Sequence, residues 1–318
     1  MLLIQNLRSV EQNKLARQPA LALDSDLAPA ARLRALLALG ACQLAPETPD
    51  GLMARMVGQA GFALGFVGLA GSALNRIGSP DPGLLTATEL VDNAARAIGA
   101  GGLPTLVDAG SGFGNPINVR RTVAELVRAG AAGVLLSDAQ DPPAHRGALA
   151  AVAPAEMVVK LQAACDVRGS SGCVLIAAVG GAAIAGTLDD VVNRAARYRE
   201  AGADLIHVGM LRSQARAEAL AQALGAGALS CSLAPDGDLD ARALGGLGYR
   251  LALVPHCGLL AAVPAIEHTF AELARTGTVG HLRAQIADFR QFTDIAGLPQ
   301  VQALEARYGV PEEQRTAL

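Results

Sequence analysis

The sequence predicts an α/β fold, a (β/α)₈ barrel of the TIM type with additional C-terminal helices. Eight short, nearly continuous apolar runs lie at about 41–45, 63–68, 104–108, 132–137, 173–178, 204–209, 227–232 and 250–255. Such runs suit strands covered on both faces by other elements. Helical patterns fall between them, for example at 86–98, 119–129, 188–201 and 214–224, and that alternation points to a parallel barrel. The junctions repeat as well: Gln59-Ala60-Gly61-Phe62, Arg128-Ala129-Gly130-Ala131, Glu200-Ala201-Gly202-Ala203 and Gly245-Gly246-Leu247-Gly248 each precede an apolar run. Glycine suits the left-handed residue that follows a helix, since it has no Cβ to clash.

Taken in order, residues 1–28 form an N-terminal extension, 29–276 the barrel and 277–318 a C-terminal helical segment. Asp189 and Asp190 fall in the first turn of the 188–201 helix, where negative charge favours the helix dipole. Two helices are expected beyond the barrel, at 281–292 and 300–308. In the first, Leu282, Ile286, Phe289 and Phe292 recur at helical spacing and need a partner surface. A doubly wound open sheet is the alternative fold, but no GxGxxG or GxxxxGK[ST] follows the first strand.

Composition narrows the function. Of 318 residues, 51% are hydrophobic and 17% charged, which fits a buried globular core. A net charge of -3, no Lys/Arg run and 3% aromatics argue against nucleic-acid binding. Cys42, Cys165, Cys173, Cys231 and Cys257 make no CxxC pair, so a zinc knuckle is not expected, and their wide spacing fits a reducing, cytoplasmic location. Gln5, Arg8 and Glu11 interrupt any signal-peptide core. The uncharged runs 56–74 and 170–188 are long enough to span a bilayer, but their glycines make helix ends, strands and loops the better reading, and no membrane partner is expected.

One stretch carries a resemblance. Leu103-Pro104-Thr105-Leu106-Val107-Asp108-Ala109-Gly110-Ser111-Gly112-Phe113-Gly114-Asn115 continues through Asn118-Val119-Arg120-Arg121-Thr122-Val123, Glu125-Leu126 and Ala129–Gly133. Upstream stand Pro80-Asp81-Pro82-Gly83-Leu84-Leu85-Thr86 and Ala31-Arg32-Leu33-Arg34-Ala35-Leu36-Leu37. Together these resemble the isocitrate lyase/phosphoenolpyruvate mutase superfamily, nearest its methylisocitrate lyase and oxaloacetate decarboxylase branches, over about residues 30–310. The resemblance implies a barrel whose carboxyl-end loops form an enolate-like pyruvate species, with Mg²⁺ carrying the developing charge. It also implies a homo-oligomer, a dimer of dimers, that exchanges a helix within 281–308 between subunits.

The chain departs from that pattern at several places. Asp108 keeps the first acid of the family's DAD, but the second is Gly110. The family's IEDQ glutamate falls on Ser137, beside retained Asp138. The KRCGH loop falls on Pro143-Ala144-His145-Arg146-Gly147, the arginine after the fifth strand on Ala178, and a serine of the early substrate turn on Leu69. No metal ligand is therefore assigned; no cofactor is expected, beyond weakly bound Mg²⁺ at most.

The candidate catalytic residues are Asp108, His207 and His256, and the candidate substrate-binding residues are Asp81, Gly112, Phe113, Ser137 and His145. Each has a plainer alternative. Asp108 can cap loop amides, Asp81 between prolines can hold a turn, and Gly112 and Phe113 can form a tight turn. His145 and Arg146 can sit on a solvated loop. Asp138 is expected to fix its loop through a salt bridge. His207, Cys231 and His256 fall on three neighbouring strands and can meet at one barrel mouth, unless strand alternation turns any of them into the helix layer.

The function expected is a carbon–carbon lyase or hydrolase acting on a small 2-oxo or 2-hydroxy carboxylate, with altered or no Mg²⁺ dependence. Ordinary isocitrate or methylisocitrate cleavage is not expected. The alternatives are a non-catalytic member that binds a metabolite or partner, and an enzyme of unrelated chemistry built on His207, Cys231 or His256.

Overall fold

The computed structural model of the chain describes residues 27–80, 83–140, 150–180 and 186–316. Asp81 and His145 lie outside the described residues. Elements follow one another as α1 (Pro29–Ala38), β1 (Gln43–Pro46), α2 (Gly51–Gln59), β2 (Gly65–Val67), α3 (Leu69–Ile77), α4 (Ala87–Gly101), β3 (Thr105–Asp108) and α5 (Pro116–Arg128). The chain continues through β4 (Gly133–Ser137), α6 (Pro154–Arg168), β5 (Val174–Ala178), α7 (Leu188–Glu200), β6 (Leu205–Leu211), α8 (Gln214–Leu224), β7 (Leu229–Leu233), α9 (Ala241–Gly246), β8 (Tyr249–Val254) and α10 (Cys257–Thr276). Two further helices follow, α11 (Phe289–Ala296) and α12 (Leu298–Arg307).

The eight strands are all parallel and run β1-β8-β7-β6-β5-β4-β3-β2 around a nearly closed barrel. This excludes the open doubly wound sheet. The ring closes between β1 and β2 through one bridge, Glu47 to Phe66, and the Thr48 N–H donates to the Phe66 carbonyl at 2.7 Å.

Alternation along the strands sorts side chains into two layers. One apolar cluster fills the barrel, with Ala45, Phe66, Leu106, Leu135, Ile176, Leu205, Leu251 and Leu253. Leu33 and Leu36 of α1 join it, and each such buried leucine contributes roughly 1.5–3 kcal/mol. The other cluster lies between strands and helices; Val107, Leu136, Leu175, Ile206 and Cys231 turn into it. Asp204 ties α1 and α6 to the start of β6, with Arg34 at 3.0 Å and Arg168 at 2.7 Å.

Local sequence explains the helix starts. Thr86 and Glu89 form a reciprocal capping box before α4, and the Thr187 hydroxyl accepts the Asp190 N–H before α7. No described helix is long and apolar enough to cross a membrane.

Grouping by proximity separates Ala20–Leu259 from a second compact unit that includes the described residues from Leu260 onward. In that unit the expected single helix at 281–292 is broken. A 3₁₀ turn occupies Gly280–Leu282, and α11 begins only at Phe289. Asp288 is the reason: its carboxylate accepts the Gln291 N–H at 2.7 Å, so it caps a new helix instead of continuing an old one. The helix expected at 300–308 is α12, which begins at Leu298 with Pro299 in its first turn.

Candidate active site

A cavity of about 550 Å³ opens at the carboxyl ends of the strands. Every strand supplies it with a residue, most of them at or near the strand's end: Glu47, Phe66, Asp108, Ser137, Ala178, His207, Ser232 and Leu253, with His256 following β8. This is the end of a parallel barrel at which loops build sites.

Asp108 closes β3 and its Oδ1 accepts the Gly110 N–H at 2.9 Å. Ser137 closes β4, and its Oγ accepts the Ala139 N–H at 3.1 Å. Phe113 lines the cavity with a left-handed φ of 64°. Gly112 packs against α5, beside Phe113. Its φ is 85°, and a Cβ there would lie 2.4 Å from Val119 Cγ2, so glycine is what lets the turn pack on α5 and present Phe113.

His207 faces inward from β6, with Nδ1 3.0 Å from Ser230 Oγ and Nε2 3.4 Å from Ser232 Oγ. Burial pushes its pKa down to about 4, so the ring is neutral near pH 7. The register between β6 and β7 slips just after His207, and Gly209 there has a φ of 79°. That irregularity turns Gly209 and Met210 toward the cavity.

His256 stands on the same cavity, also with a left-handed backbone, φ 57°. Among the described residues Phe113 and His256 are the two non-glycine residues with positive φ. Strain of this kind concentrates at functional sites. The partner of His256 is Glu47, which sequence reasoning missed. Glu47 Oε2 lies 2.8 Å from Nδ1 and accepts the His256 backbone N–H. The Nδ1 contact is an ion-pair distance rather than a well-aligned hydrogen bond, and Glu47 Oε1 receives no hydrogen bond. The Glu47 carboxylate raises the pKa of His256 above the ordinary imidazole value, and partial burial opposes it. A signal for Glu47 was present: it is an acid just past the first predicted strand, where barrel sites collect their charges.

Cys231 does not join the two histidines. It points into the strand–helix layer, fully buried, and burial raises its thiol pKa, so it is no activated nucleophile. Asp138 likewise turns away, accepting from Tyr198 Oη at 2.9 Å and Arg194 Nη1 at 3.3 Å.

The described residues match a divalent metal poorly at the positions where the family's acids are expected. Asp108 is retained, but Gly110 carries no side-chain oxygen and Ser137 only a neutral one, whereas Mg²⁺ favours carboxylate oxygens. Among the described residues no three His, Cys, Asp or Glu side chains are grouped to hold a metal ion.

An eight-stranded parallel barrel with a polar-rimmed cavity at its carboxyl end defines a small-molecule site of the TIM-barrel class. Residues 33–274 match the phosphoenolpyruvate phosphomutase family model. A 2,3-dimethylmalate lyase of Eubacterium barkeri is 30% identical over 288 residues, covering 88% of this chain and 98% of the relative. An oxaloacetate decarboxylase of Rhodopseudomonas palustris (strain ATCC BAA-98 / CGA009) is 35% identical over 243 residues, covering 76% and 83%. The solved structure of oxaloacetate acetylhydrolase in complex with the inhibitor 3,3-difluorooxalacetate superimposes with a TM-score of 0.83 at 27% identity, covering 90% of this chain and 98% of that one. The chain belongs to the phosphoenolpyruvate phosphomutase family, within the PEP mutase/isocitrate lyase superfamily. By their names, these relatives act on small carboxylates.

Proposed function

We propose that this protein is a divergent lyase that binds a small 2-oxo or 2-hydroxy carboxylate in the barrel-mouth cavity and breaks a carbon–carbon bond in it, with altered or no Mg²⁺ dependence. The observation that carries this reading is the cavity itself, which keeps Asp108 at the end of β3 while Glu47, His207 and His256 add titratable groups from other strands. Asp108, His207 and His256 are the catalytic candidates, and Phe113 and Ser137 line the same space. Asp81 and His145 remain proposed ligand contacts on sequence grounds alone. A second reading is favoured by Gly110, Ser137 and Ala178, which stand where the family carries charged groups: a member that binds its carboxylate without turnover.

The test is a panel of small carboxylates, oxaloacetate, dimethylmalate and pyruvate among them, with and without Mg²⁺. Binding is read by calorimetry and products by chromatography. Turnover in chelator supports the lyase, binding without product supports the second reading, and no binding at all refutes both.

We further propose a homo-oligomer, a dimer of dimers, in the reducing environment of the cytoplasm. Leu260, Val263, Ile266, Phe270 and Leu273 of α10 are exposed, as are Phe289 and Phe292 of α11, an apolar load a partner copy would cover. All five cysteines are free. The boundaries proposed for this assembly are a barrel at 29–276 and an exchanged segment within 277–318. Light scattering at micromolar concentration tests it, and a monomer there refutes it.

A further inference from the structure

The cavity presents a charge problem. Its described lining includes two carboxylates, Glu47 and Asp108, and no lysine or arginine. His207, on β6, is a neutral ring with a serine hydroxyl beside each nitrogen. A carboxylate ligand entering this space meets His256 as the one described side chain able to face it with a positive charge. Cys257, which follows His256 in the chain, is exposed, and Asp108 lines the same cavity.

The surroundings of Glu47 are built around that histidine. Its side chain is 1% exposed, against 33% for His256. A Cβ on Gly68 would come 2.1 Å from Oε1, and one on Gly71 2.2 Å, so two glycines at the start of α3 leave the space the carboxylate occupies. Oε1 takes no hydrogen bond, so the carboxylate depends on Oε2 and its contacts with His256. A buried carboxylate held by a single partner is costly unless that partner is cationic or the pair keeps a proton between them. With Nδ1 beside Glu47, Nε2 is the ring nitrogen left for a ligand.

We propose that Glu47 and His256 form the anion seat of this protein: the His256 imidazolium, backed by the buried Glu47, receives a carboxylate group of the ligand in place of a metal ion, and ligand binding draws a proton onto the pair. The ligand class is a small mono- or dicarboxylate. The seat rests on the reading that a small carboxylate occupies the barrel mouth, and it holds whether or not turnover follows. Glu47 acts through His256 as a positioning residue.

Proton uptake separates this seat from a merely structural pair. Oxalate and pyruvate are titrated in chelator, by calorimetry, in buffers of different ionisation enthalpy from pH 6 to 9. The wild type binds without a divalent ion, takes up a fraction of a proton that grows with pH, and loses affinity by up to about tenfold per pH unit once the free pair is deprotonated. His256→Asn keeps a residue that tolerates a left-handed backbone, weakens binding about tenfold to a hundredfold and abolishes proton uptake. Glu47→Gln lowers the pH at which affinity begins to fall and increases the proton uptake at pH 7. Circular dichroism and thermal melting establish that each variant is folded. Chemical-shift titration of the His256 ring in the wild type, with and without oxalate, reads the same protonation without any substitution. Binding that needs Mg²⁺, carries no proton, or survives His256→Asn unchanged overturns the seat while leaving carboxylate binding intact. No binding by the wild type, with or without Mg²⁺, removes both.

Discussion

Leu69 occupies the room that a side chain at Gly110 would need: its Cδ2 lies 3.0 Å from the position of a Cβ there. On the correspondence proposed from sequence, the residue in place of the family's substrate-turn serine thus crowds the residue in place of its second acid. Gly110→Asp with Ser137→Glu restores two carboxylates and is expected to raise Mg²⁺ affinity at least about tenfold, with lyase turnover still low. Adding Leu69→Ser relieves the crowding and strengthens the ion further. Calorimetry with and without pyruvate reads the first effect, and a glyoxylate-release assay on isocitrate reads the second. Tight Mg²⁺ binding by the unmodified protein contradicts the assignment.

Gly71→Ala places a Cβ 2.2 Å from Glu47 Oε1 and is expected to cost about 1–3 kcal/mol, as overpacking does. Glu47→Ala removes the obstruction, so the double variant should recover at least about 1 kcal/mol relative to additivity. Urea unfolding of the four proteins completes the cycle. Simple additivity would mean the carboxylate does not rest on that glycine.

His207 makes stability pH-dependent. Its folded pKa, about 4, lies below its unfolded value, so between the two the unfolded chain binds more protons. Stability therefore falls as pH drops from about 6.5 toward 4, by up to about 3 kcal/mol from this residue. His207→Gln should flatten that limb in denaturant titrations across this range; an unchanged slope assigns the acid sensitivity elsewhere. The His256 contribution has the opposite sign: its raised pKa gives stability that is present below the unfolded value and lost as pH rises through the folded one.

Asp138→Ala leaves Arg194 with a buried, weakened charge balance and is expected to cost about 3–5 kcal/mol. Tyr198→Phe removes one hydrogen bond to the same carboxylate and should cost about 0.5–1.5 kcal/mol if Arg194 compensates. Neither substitution should move carboxylate affinity more than about twofold, because Asp138 faces the helix layer. A large loss of ligand binding with a normal melting temperature would place Asp138 in the site after all.

Much of the barrel was legible because burial on both faces writes itself as unbroken apolar runs, and because glycine marks the helix ends. Gln214–Leu224 coincides with α8, and 188–201 with α7 to within its last residue. Positions on the cavity were legible where a motif or a predicted strand pointed, as with Asp108, Ser137 and His207. It was not legible where partners come from opposite ends of the chain: Glu47 and His256 meet only because β1 pairs with β8. Cys231 illustrates the other failure. Composition places it on a strand but not on a face, and a one-residue difference in phase sends it outward between inward-facing Ser230 and Ser232.

The single bridge that joins β1 to β2 is the narrowest seam in the staves of the barrel. Glu47 faces Phe66 across that bridge, its neighbour Thr48 donates the hydrogen bond there, and its side chain grips His256. The seam of the hoop and the setting of the histidine thus share one residue, and loosening the seam is expected to loosen the ring as well.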